Sequence, residues 1–214
     1  MKICDVYSII LIFTLAYISL VLYGILFYFN CCGVPTTQTI INILLRLDSP
    51  TINGLSVLYI AHYIAGLHIM LRGEELLNGI FWGLLTSLFI HANIYHLFFN
   101  SLALLIIKHI SSAMNNAYNL IKVFLIGGLL SNLGTALITP TTSSVGASGG
   151  IFAVFTWTAL INYIERRDNT LLILLFLTLI LSSTPIAGSP NVVAHILGVL
   201  VGCSLVVFKK SLIS

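Results

Sequence analysis

Charge is the property this sequence has least of. Only 7% of its 214 residues are Asp, Glu, Lys or Arg, whereas 58% are hydrophobic. A soluble domain carries about 25% charged residues, so a surface this poor in charge excludes a soluble protein. The length suits one domain, residues 1–214, of about six helices, because each span takes about 20 residues. The composition therefore predicts an all-α, polytopic membrane protein.

Clustered cysteines and clustered basic residues are also lacking. None of the four cysteines, Cys4, Cys31, Cys32 and Cys203, has metal-ligand spacing. The adjacent pair Cys31-Cys32 could form a disulfide or carry a lipid, although ordinary loop cysteines explain it more simply. The net charge of +3 comes from scattered Lys and Arg, so no nucleic-acid surface is expected. We expect neither a metal nor another cofactor, because no cluster has ligand spacing backed by a carboxylate.

Long uncharged runs predict six membrane spans. The first run is too long for the apolar core of a signal peptide. The uncharged stretch 123–164 is too long for one span, and it breaks at Thr139–Ser144, where Pro and clustered hydroxyls interrupt a helix. The predicted spans are Val6–Phe29, Phe89–Ile107, Val123–Ile138, Ser148–Ile164, Leu171–Leu181 and Val192–Phe208.

The segments between the first spans are harder to assign. Asn30–Pro50 is predicted to be loop. Gly54–Met70 is apolar but short, which favours an interfacial or re-entrant segment over a seventh span. Lys108, His109 and Lys122 are expected to bracket a polar loop.

Basic residues in short connections indicate how the spans are oriented, because they favour the cytoplasmic side. With the N-terminus inside, Arg46 and Arg72 lie outside and the other seven basic residues lie in the cytoplasm. This split predicts an N-in/C-in topology. It also places the starts of spans two, four and six, with His91, Ser148 and His195, toward the outer face.

Ser148 and His195 are the candidates for chemistry. A serine in a membrane helix usually makes a structural hydrogen bond, and its glycine-rich surroundings are by themselves a packing motif. A histidine within an apolar span is rarer and is a functional hypothesis by default. His195 lies beside a smooth face of Ala194, Gly198 and Gly202 that lets another helix approach closely. Serine needs a neighbouring base to become a nucleophile, and these two residues at one depth satisfy that requirement.

Other residues could complete such a site. His96 and Asn100 are four apart on one helical face, so both could donate to a developing oxyanion together with the Ser148 amide. A polar clasp between helices is the alternative for that pair. His91 is expected to project elsewhere, near the interface, and to order a loop. No acid lies in the predicted outer halves of the spans, so we expect a Ser-His dyad, with Phe152 holding the imidazole ring.

Together these residues resemble the rhomboid family of intramembrane serine proteases. Trp82 also falls where the family has a Trp-Arg pair in the first loop. The resemblance covers about residues 76–208, and each pattern is weak alone, whereas the ordered set is specific. The patterns are HxxxxHxxxN (His91, His96, Asn100), GxSG (Gly146, Ser148, Gly149) and AHxxGxxxG (Ala194, His195, Gly198, Gly202).

The resemblance implies a fold and an activity. It implies a six-helix bundle in which Pro50–Glu75 belongs to a long first loop lying partly in the outer leaflet. By resemblance Ser148 is the nucleophile, His195 is the base, and His96, Asn100 and the Ser148 amide form the oxyanion hole. The implied partners are the bilayer and transmembrane protein substrates, which the enzyme hydrolyses in or near their membrane segments. We expect a multi-pass protein of the plasma membrane of a prokaryote.

The chain departs from the family pattern at three places. The Trp-Arg pair is Trp82-Gly83, Lys108–Ser112 offers no glutamate at the inner end of span two, and Phe152 stands where a tyrosine often stacks on the histidine. The first two departures concern the rigidity of the loop and stability. The third keeps the ring and loses a hydroxyl.

Substrate and water must both reach such a site. The polar segments Thr141–Ser144 and Ser182–Ser189 could line a water-filled cavity, the only setting in which irregular backbone is tolerated at depth. Our hypothesis is that the short span five, which ends in Ser182–Pro185, moves aside to admit a transmembrane substrate.

Two other functions remain open from the sequence. One is a catalytically inactive relative that binds membrane clients, although such relatives usually lose the serine or the histidine. The other is a small transporter with His91, His96 and His195 as proton or metal sites. It would lack the intramembrane acids that usually relay protons.

Overall fold

The regular secondary structure of the described residues is helical, as the apolar runs predict. The structure is a computed structural model that describes residues 6–113, 120–184 and 190–211, with side chains to residue 208. Extended pairing within those ranges is confined to isolated bridges. The helices are α1 Val6–Cys32, α2 Thr37–Leu45, α3 Val57–Tyr59, α4 Gly73–Leu77, α5 Gly83–Thr86, α6 Ile94–Ala113, α7 Leu120–Ile138, α8 Ser148–Arg166, α9 Thr170–Ser182 and α10 Val192–Ser211.

Three of the described helices, α1, α6 and α7, are long and apolar enough to cross a membrane. Helix α9 and the part of α10 up to Phe208 are shorter apolar helices. With the low charge content, these helices make the chain an integral membrane protein. The total of six spans and the N-in/C-in orientation remain predictions.

Helix α6 is shifted toward the C-terminus relative to the predicted span Phe89–Ile107. It starts at Ile94 because Asn93 precedes it, and the Asn93 Oδ1 accepts the His96 amide at 2.9 Å. It continues past Lys108, whose Nζ lies 3.4 Å from the centre of the Tyr7 ring.

We expected Lys108, His109 and Lys122 to bracket a polar loop. The bounds of that prediction are wrong, because all three residues lie in helices. Residues 114–119, which would connect those helices, are outside the described part of the chain.

We predicted a loop over Asn30–Pro50, but this segment is not a loop throughout. Helix α2 forms within it because Thr36 accepts the Thr39 amide at 3.1 Å and Ile43 is fully buried. Cys31 and Cys32 are not loop residues either. They form the exposed end of α1 with free thiols, and Cys4 lies outside the described residues.

The segment Gly54–Met70 contains no spanning helix. Helix α3 runs into one π-helical turn, Ile60–Ile64, and irregular backbone follows. Eight helical residues are too short to span a bilayer. Leu71 and Ser144 exchange backbone hydrogen bonds of 2.8 and 2.9 Å, which attach this first loop to the chain just before α8.

Helix α8 is the centre of the bundle and packs chiefly against α10 and α7. Small residues permit that packing. A Cβ at Gly150 would lie 2.7 Å from the Phe124 carbonyl of α7, and one at Gly202 would lie 2.5 Å from the Ala153 carbonyl. Glycine at these positions therefore lets α7 and α10 approach α8 closely.

Helix α9 is the most loosely held of the long helices. Only Leu171 and Leu175, both toward its N-terminal end, are buried, whereas Ile180 and Leu181 are exposed. Its polar end was predicted to run through Pro185, which lies outside the described residues. The helix is therefore anchored mainly at the end away from Ser182.

Candidate active site

Ser148 lies at the first position of α8 because a glycine turn precedes it. Gly146 has φ +121°, a backbone conformation that favours glycine, and its amide donates to the Ser87 carbonyl at 2.8 Å. As the first helical residue, Ser148 has an amide with no acceptor inside the helix. The turn therefore places the hydroxyl and a free amide at the same helix end.

Asn191 fixes the start of α10 beside that turn. Its Oδ1 accepts the Ala194 amide at 3.0 Å, and its Nδ2 donates to the Ser144 Oγ at 2.7 Å. The same side chain therefore caps the helix carrying His195 and holds the loop leading to Ser148. Asn191 was not among the site residues predicted from the sequence. Its place directly before an apolar helix was the signal that could have found it.

The structure brings Ser148 and His195 together, although they are 47 residues apart in the chain. The His195 Nε2 lies 2.9 Å from the Ser148 Oγ, and the histidine is buried. Its ring centre is 4.7 Å from that of Phe152, with the planes tilted by 36°. This is hydrogen-bonding distance for a hydroxyl and a base, with an aromatic ring beside the imidazole.

The other nitrogen of His195 meets a second hydroxyl. Its Nδ1 lies 3.2 Å from the Oγ of Ser182, the last residue of α9. Both imidazole nitrogens therefore face serines. Ser182 was considered only as a polar helix end in the sequence, because nothing in the sequence shows which helix end packs on His195.

Glycines set the distance between α8 and α10. A Cβ at Gly149 would lie 3.3 Å from the Ala194 carbonyl, and a Cβ at Gly198 would collide with the Gly149 carbonyl. Gly202 packs one turn further along, against Ala153. The predicted smooth face of α10 thus lies against α8, and a methyl added at Gly198 or Gly202 would force the two helices apart.

The two proposed oxyanion donors lie on the helix that faces this turn. A Cβ at Gly146 would lie 2.7 Å from the His96 Nε2, so the imidazole rests on the backbone two residues before Ser148. Asn100 is buried, and its Nδ2 has no hydrogen-bond partner among the described residues. A buried amide donor without an acceptor is costly, so it marks a place where an acceptor is missing.

We expected His91 to project away from His96, but the structure places the two side chains next to each other. His91 is fully buried, with its ring 5.1 Å from the His96 ring and 4.7 Å from the Phe13 ring. The helical spacing we applied does not hold, because α6 begins only at Ile94. His91 therefore packs beneath His96 and not at a surface.

Trp82 is half exposed and immediately precedes α5. Its neighbour explains the missing arginine, since a Cβ at Gly83 would lie 2.7 Å from the Met70 carbonyl. The close approach of these two backbone segments takes the space that an arginine side chain would need. Thr141, Thr142 and Ser143 are exposed, whereas residues 185–189 of the predicted cavity lining lie outside the described residues.

The first loop holds the group with metal-ligand character in the described structure. Ligand atoms of His62, His68 and Glu75 lie within 4.8 Å of one another. Glu75 Oε1 is 2.8 Å from the His62 Nε2 and 3.1 Å from the His68 Nδ1. This cluster is called the loop clasp below.

The loop clasp is better suited to hydrogen bonding than to metal binding. The Met70 amide donates to the His62 Nδ1 at 3.0 Å. A neutral His62 therefore carries its proton on Nε2, which then donates to Glu75 and offers no lone pair to a metal. Burial lowers the pKa of His62, against the opposing effect of Glu75, so the neutral form is favoured.

Comparison with known proteins gives two matches. Residues 78–211, more than half of the chain, match the family model described as "Rhomboid domain". A protein of Bacillus subtilis (strain 168) named "Putative rhomboid protease YdcA" is 29% identical over 126 residues, which cover 56% of this chain. The chain spans 63% of the length of that relative.

Proposed function

This chain belongs to the rhomboid family, and from that premise we propose that it is an intramembrane serine endopeptidase. The observation that carries the proposal is the 2.9 Å contact between the Ser148 Oγ and the His195 Nε2. In this proposal the enzyme hydrolyses peptide bonds in or near transmembrane segments of other membrane proteins.

The reaction follows from the chemistry of the pair. His195 accepts the proton of Ser148 as its oxygen attacks the scissile carbonyl. The imidazolium then returns the proton to the leaving amine, and an acyl-enzyme remains on Ser148. Water, deprotonated by the same imidazole, hydrolyses the ester and restores the serine.

The oxyanion requires donors that the resting site leaves open. We assign this role to the Asn100 Nδ2, to His96 and to the Ser148 amide. Support comes from the buried, unpartnered amide of Asn100 and from the position of His96 against Gly146. One such donor typically contributes about 2.7–4 kcal/mol to the transition state.

The site is proposed to face the outer side of a prokaryotic plasma membrane and to receive its substrate past α9. Loose packing at the Ser182 end of α9 supports this route, since the buried residues Leu171 and Leu175 lie toward the other end. A cross-link between α9 and α6 should block cleavage of a transmembrane substrate, and reducing the link should restore it. Full activity with the link formed would rule out this route.

The proposal is tested by cleavage of a model transmembrane substrate by purified protein in detergent. Wild type should cleave, whereas Ser148→Ala and His195→Ala should not. Matched controls are Ser204→Ala, on the exposed face of α10, and His109→Ala, exposed near the C-terminal end of α6. If folded wild type neither cleaves nor reacts with a fluorophosphonate, the client-binding function replaces the proteolytic one.

A further inference from the structure

Two neighbouring serines lie at the C-terminal end of α9, Ser182 as its last residue and Ser183 directly after it, and only Ser182 contacts the proposed base. The Ser182 Oγ lies 3.1 Å from the Leu179 carbonyl and 3.2 Å from the His195 Nδ1. The Ser183 Oγ donates to the same carbonyl at 2.8 Å and has no recorded contact with His195 among the described residues. Helix α9 thus offers a matched pair of hydroxyls.

The proton of Ser182 determines which tautomer its neighbour adopts. A serine hydroxyl has one hydrogen to donate and lone pairs to accept with. Because the hydroxyl donates to the Leu179 carbonyl, a lone pair is left for His195. In this arrangement the His195 Nδ1 carries the hydrogen of the 3.2 Å contact with the Ser182 oxygen, and in the neutral ring the Nε2 is left unprotonated, facing Ser148.

We propose that Ser182 is a positioning residue that holds His195 in the tautomer able to accept the proton of Ser148. The inference rests on the proposed proteolytic function. In the proton transfer the Ser148 proton moves to Nε2, while the other proton stays on Nδ1, which donates it as a hydrogen bond to the Ser182 oxygen. Ser182 touches neither substrate nor a reacting atom, and it is neither consumed nor charged.

The need for such a residue follows from the missing acid. No acidic side chain is hydrogen-bonded to His195 in the described ranges; its two nitrogens face Ser148 and Ser182. In serine proteases generally, a third group fixes the tautomer and ring orientation of the base. Phe152 restricts the ring but cannot choose between its two tautomers, because a phenyl ring has no lone pair or proton to offer. The Ser182 hydroxyl supplies that choice.

The test compares Ser182→Ala with Ser183→Ala and Ser182→Thr. We measure kcat and KM for a transmembrane substrate, and also the rate of labelling by a small fluorophosphonate. A neutral hydrogen bond of this kind corresponds to a roughly 3- to 10-fold change in kcat. In Ser182→Ala, kcat should fall by that factor while KM stays unchanged, and the rate of labelling should fall by the same factor. Ser183→Ala should match wild type, and Ser182→Thr should recover most of the loss.

Labelling by a small probe separates positioning from gating, because the probe does not require α9 to admit a helix. If only substrate cleavage changes, Ser182 acts on entry and the proposal is overturned. If Ser182→Ala equals Ser183→Ala while Ser148→Ala is inactive, the proteolytic function stands and only this inference fails.

A second measurement does not depend on activity. Nitrogen NMR of ¹⁵N-histidine-labelled protein, with the His195 signals identified by their loss in His195→Gln, reports the tautomer directly. Wild type should show a protonated Nδ1 and a bare Nε2, and Ser182→Ala should show a mixture. A protonated Nε2 in wild type, or an unchanged spectrum in Ser182→Ala, would overturn the proposal.

Discussion

The loop clasp and the Ser148–His195 pair are both built around a buried histidine, but only one of them has an arrangement suited to catalysis. His62 bonds a carboxylate through Nε2 and receives a backbone amide at Nδ1, so both nitrogens are committed to structure. His195 places Nε2 on a serine hydroxyl at the start of a helix. The clasp has the acid that serine proteases usually use and lacks a nucleophile.

The difference shows that the presence of a histidine does not by itself predict its function. The hydrogen-bond partner of each of its two ring nitrogens must also be known. A histidine beside a glutamate resembles two members of a triad, yet the Met70 amide at the His62 Nδ1 fixes the tautomer that donates to Glu75. At His195 the partner at Nδ1 is a hydroxyl, which can accept as well as donate, and in our proposal it accepts, so that Nε2 is free to take the Ser148 proton. We therefore expect the clasp to support the loop and the Ser148–His195 pair to support the chemistry.

The largest expected effect is loss of either member of the pair. Ser148→Ala and His195→Ala should each lower kcat by at least about 10³-fold, because nucleophile and base act as a unit. His62→Gln should lower the melting temperature while keeping most of the activity per folded molecule. Cleavage rates and thermal unfolding in detergent, measured on the same samples, check this contrast. Loss of activity in folded His62→Gln as large as in His195→Ala would erase the distinction between the two regions.

A second contrast uses two buried asparagines. Asn100 has an unpartnered Nδ2, whereas the Asn132 Nδ2 donates to the Leu84 carbonyl and to the Ser87 Oγ at 2.8 and 2.9 Å. Asn100→Ala should lower kcat by about 10²–10³-fold with little loss of stability. Asn132→Ala should instead lower stability by about 1–3 kcal/mol, because it leaves buried groups unpaired.

Kinetics and denaturant unfolding of both asparagine variants distinguish these outcomes. An Asn100→Ala variant that is unstable but fully active when folded would assign Asn100 to structure alone.

A third contrast uses two glycines. Gly198 lies where α10 packs against α8, and Gly66 lies in the loop that carries the loop clasp. In Gly198→Ala the new methyl meets the Gly149 carbonyl, so α8 and α10 must separate. We expect a loss of about 10²-fold in activity, the size of effect that a displacement near 1 Å can produce. Gly66→Ala meets no atom within 4 Å but has φ +64°, so its expected cost is stability, about 1–2 kcal/mol, and not kcat.

The glycine variants are compared by kcat per folded molecule and by melting temperature. Unchanged kcat in Gly198→Ala would mean that the spacing of α8 and α10 does not set the Ser148–His195 distance.

The smallest expected effect is a pH dependence of stability from the clasp. Burial lowers the pKa of His62 in the folded protein below its usual value of about 6.5. Below pH 6.5 the unfolded chain binds more protons at His62 than the folded protein does. The contribution of His62 to the free energy of unfolding is therefore fully present above pH 6.5, and it decreases as the pH falls toward the pKa of the folded state. The melting temperature should decrease from pH 7.5 to 5, and by less in His62→Gln. An equal decrease in both proteins would show that His62 is not responsible.

The sequence predicted the helical class correctly, and its small, regular patterns also selected Ser148 and His195, which the structure brings together. Gly198 and Gly202 marked places where another backbone approaches, and the structure has such contacts at both, whereas Gly146 lies against the His96 side chain. The end of α7 at Ile138 was also predicted correctly. Such features depend on local spacing, which a sequence displays directly.

What the sequence could not give was contact between distant segments. Three features depend on segments that meet only in the folded bundle. They are the burial of His91, the hydrogen bond from Asn191 to Ser144 and the contact of Ser182 with His195. Helix α2 was missed because its nine residues lie between Pro35 and Pro50, with the charged residues Arg46 and Asp48 directly after it. The Thr36 cap and the burial of Ile43 stabilise it.

The most direct test of the central claim is the site of covalent labelling by a fluorophosphonate. Folded wild type should gain a single adduct, and peptide mapping by mass spectrometry should place it on Ser148, with no adduct in Ser148→Ala and a much slower one in His195→Ala. An adduct on another serine, or none on folded wild type, would contradict the claim that Ser148 and His195 form a working nucleophile and base.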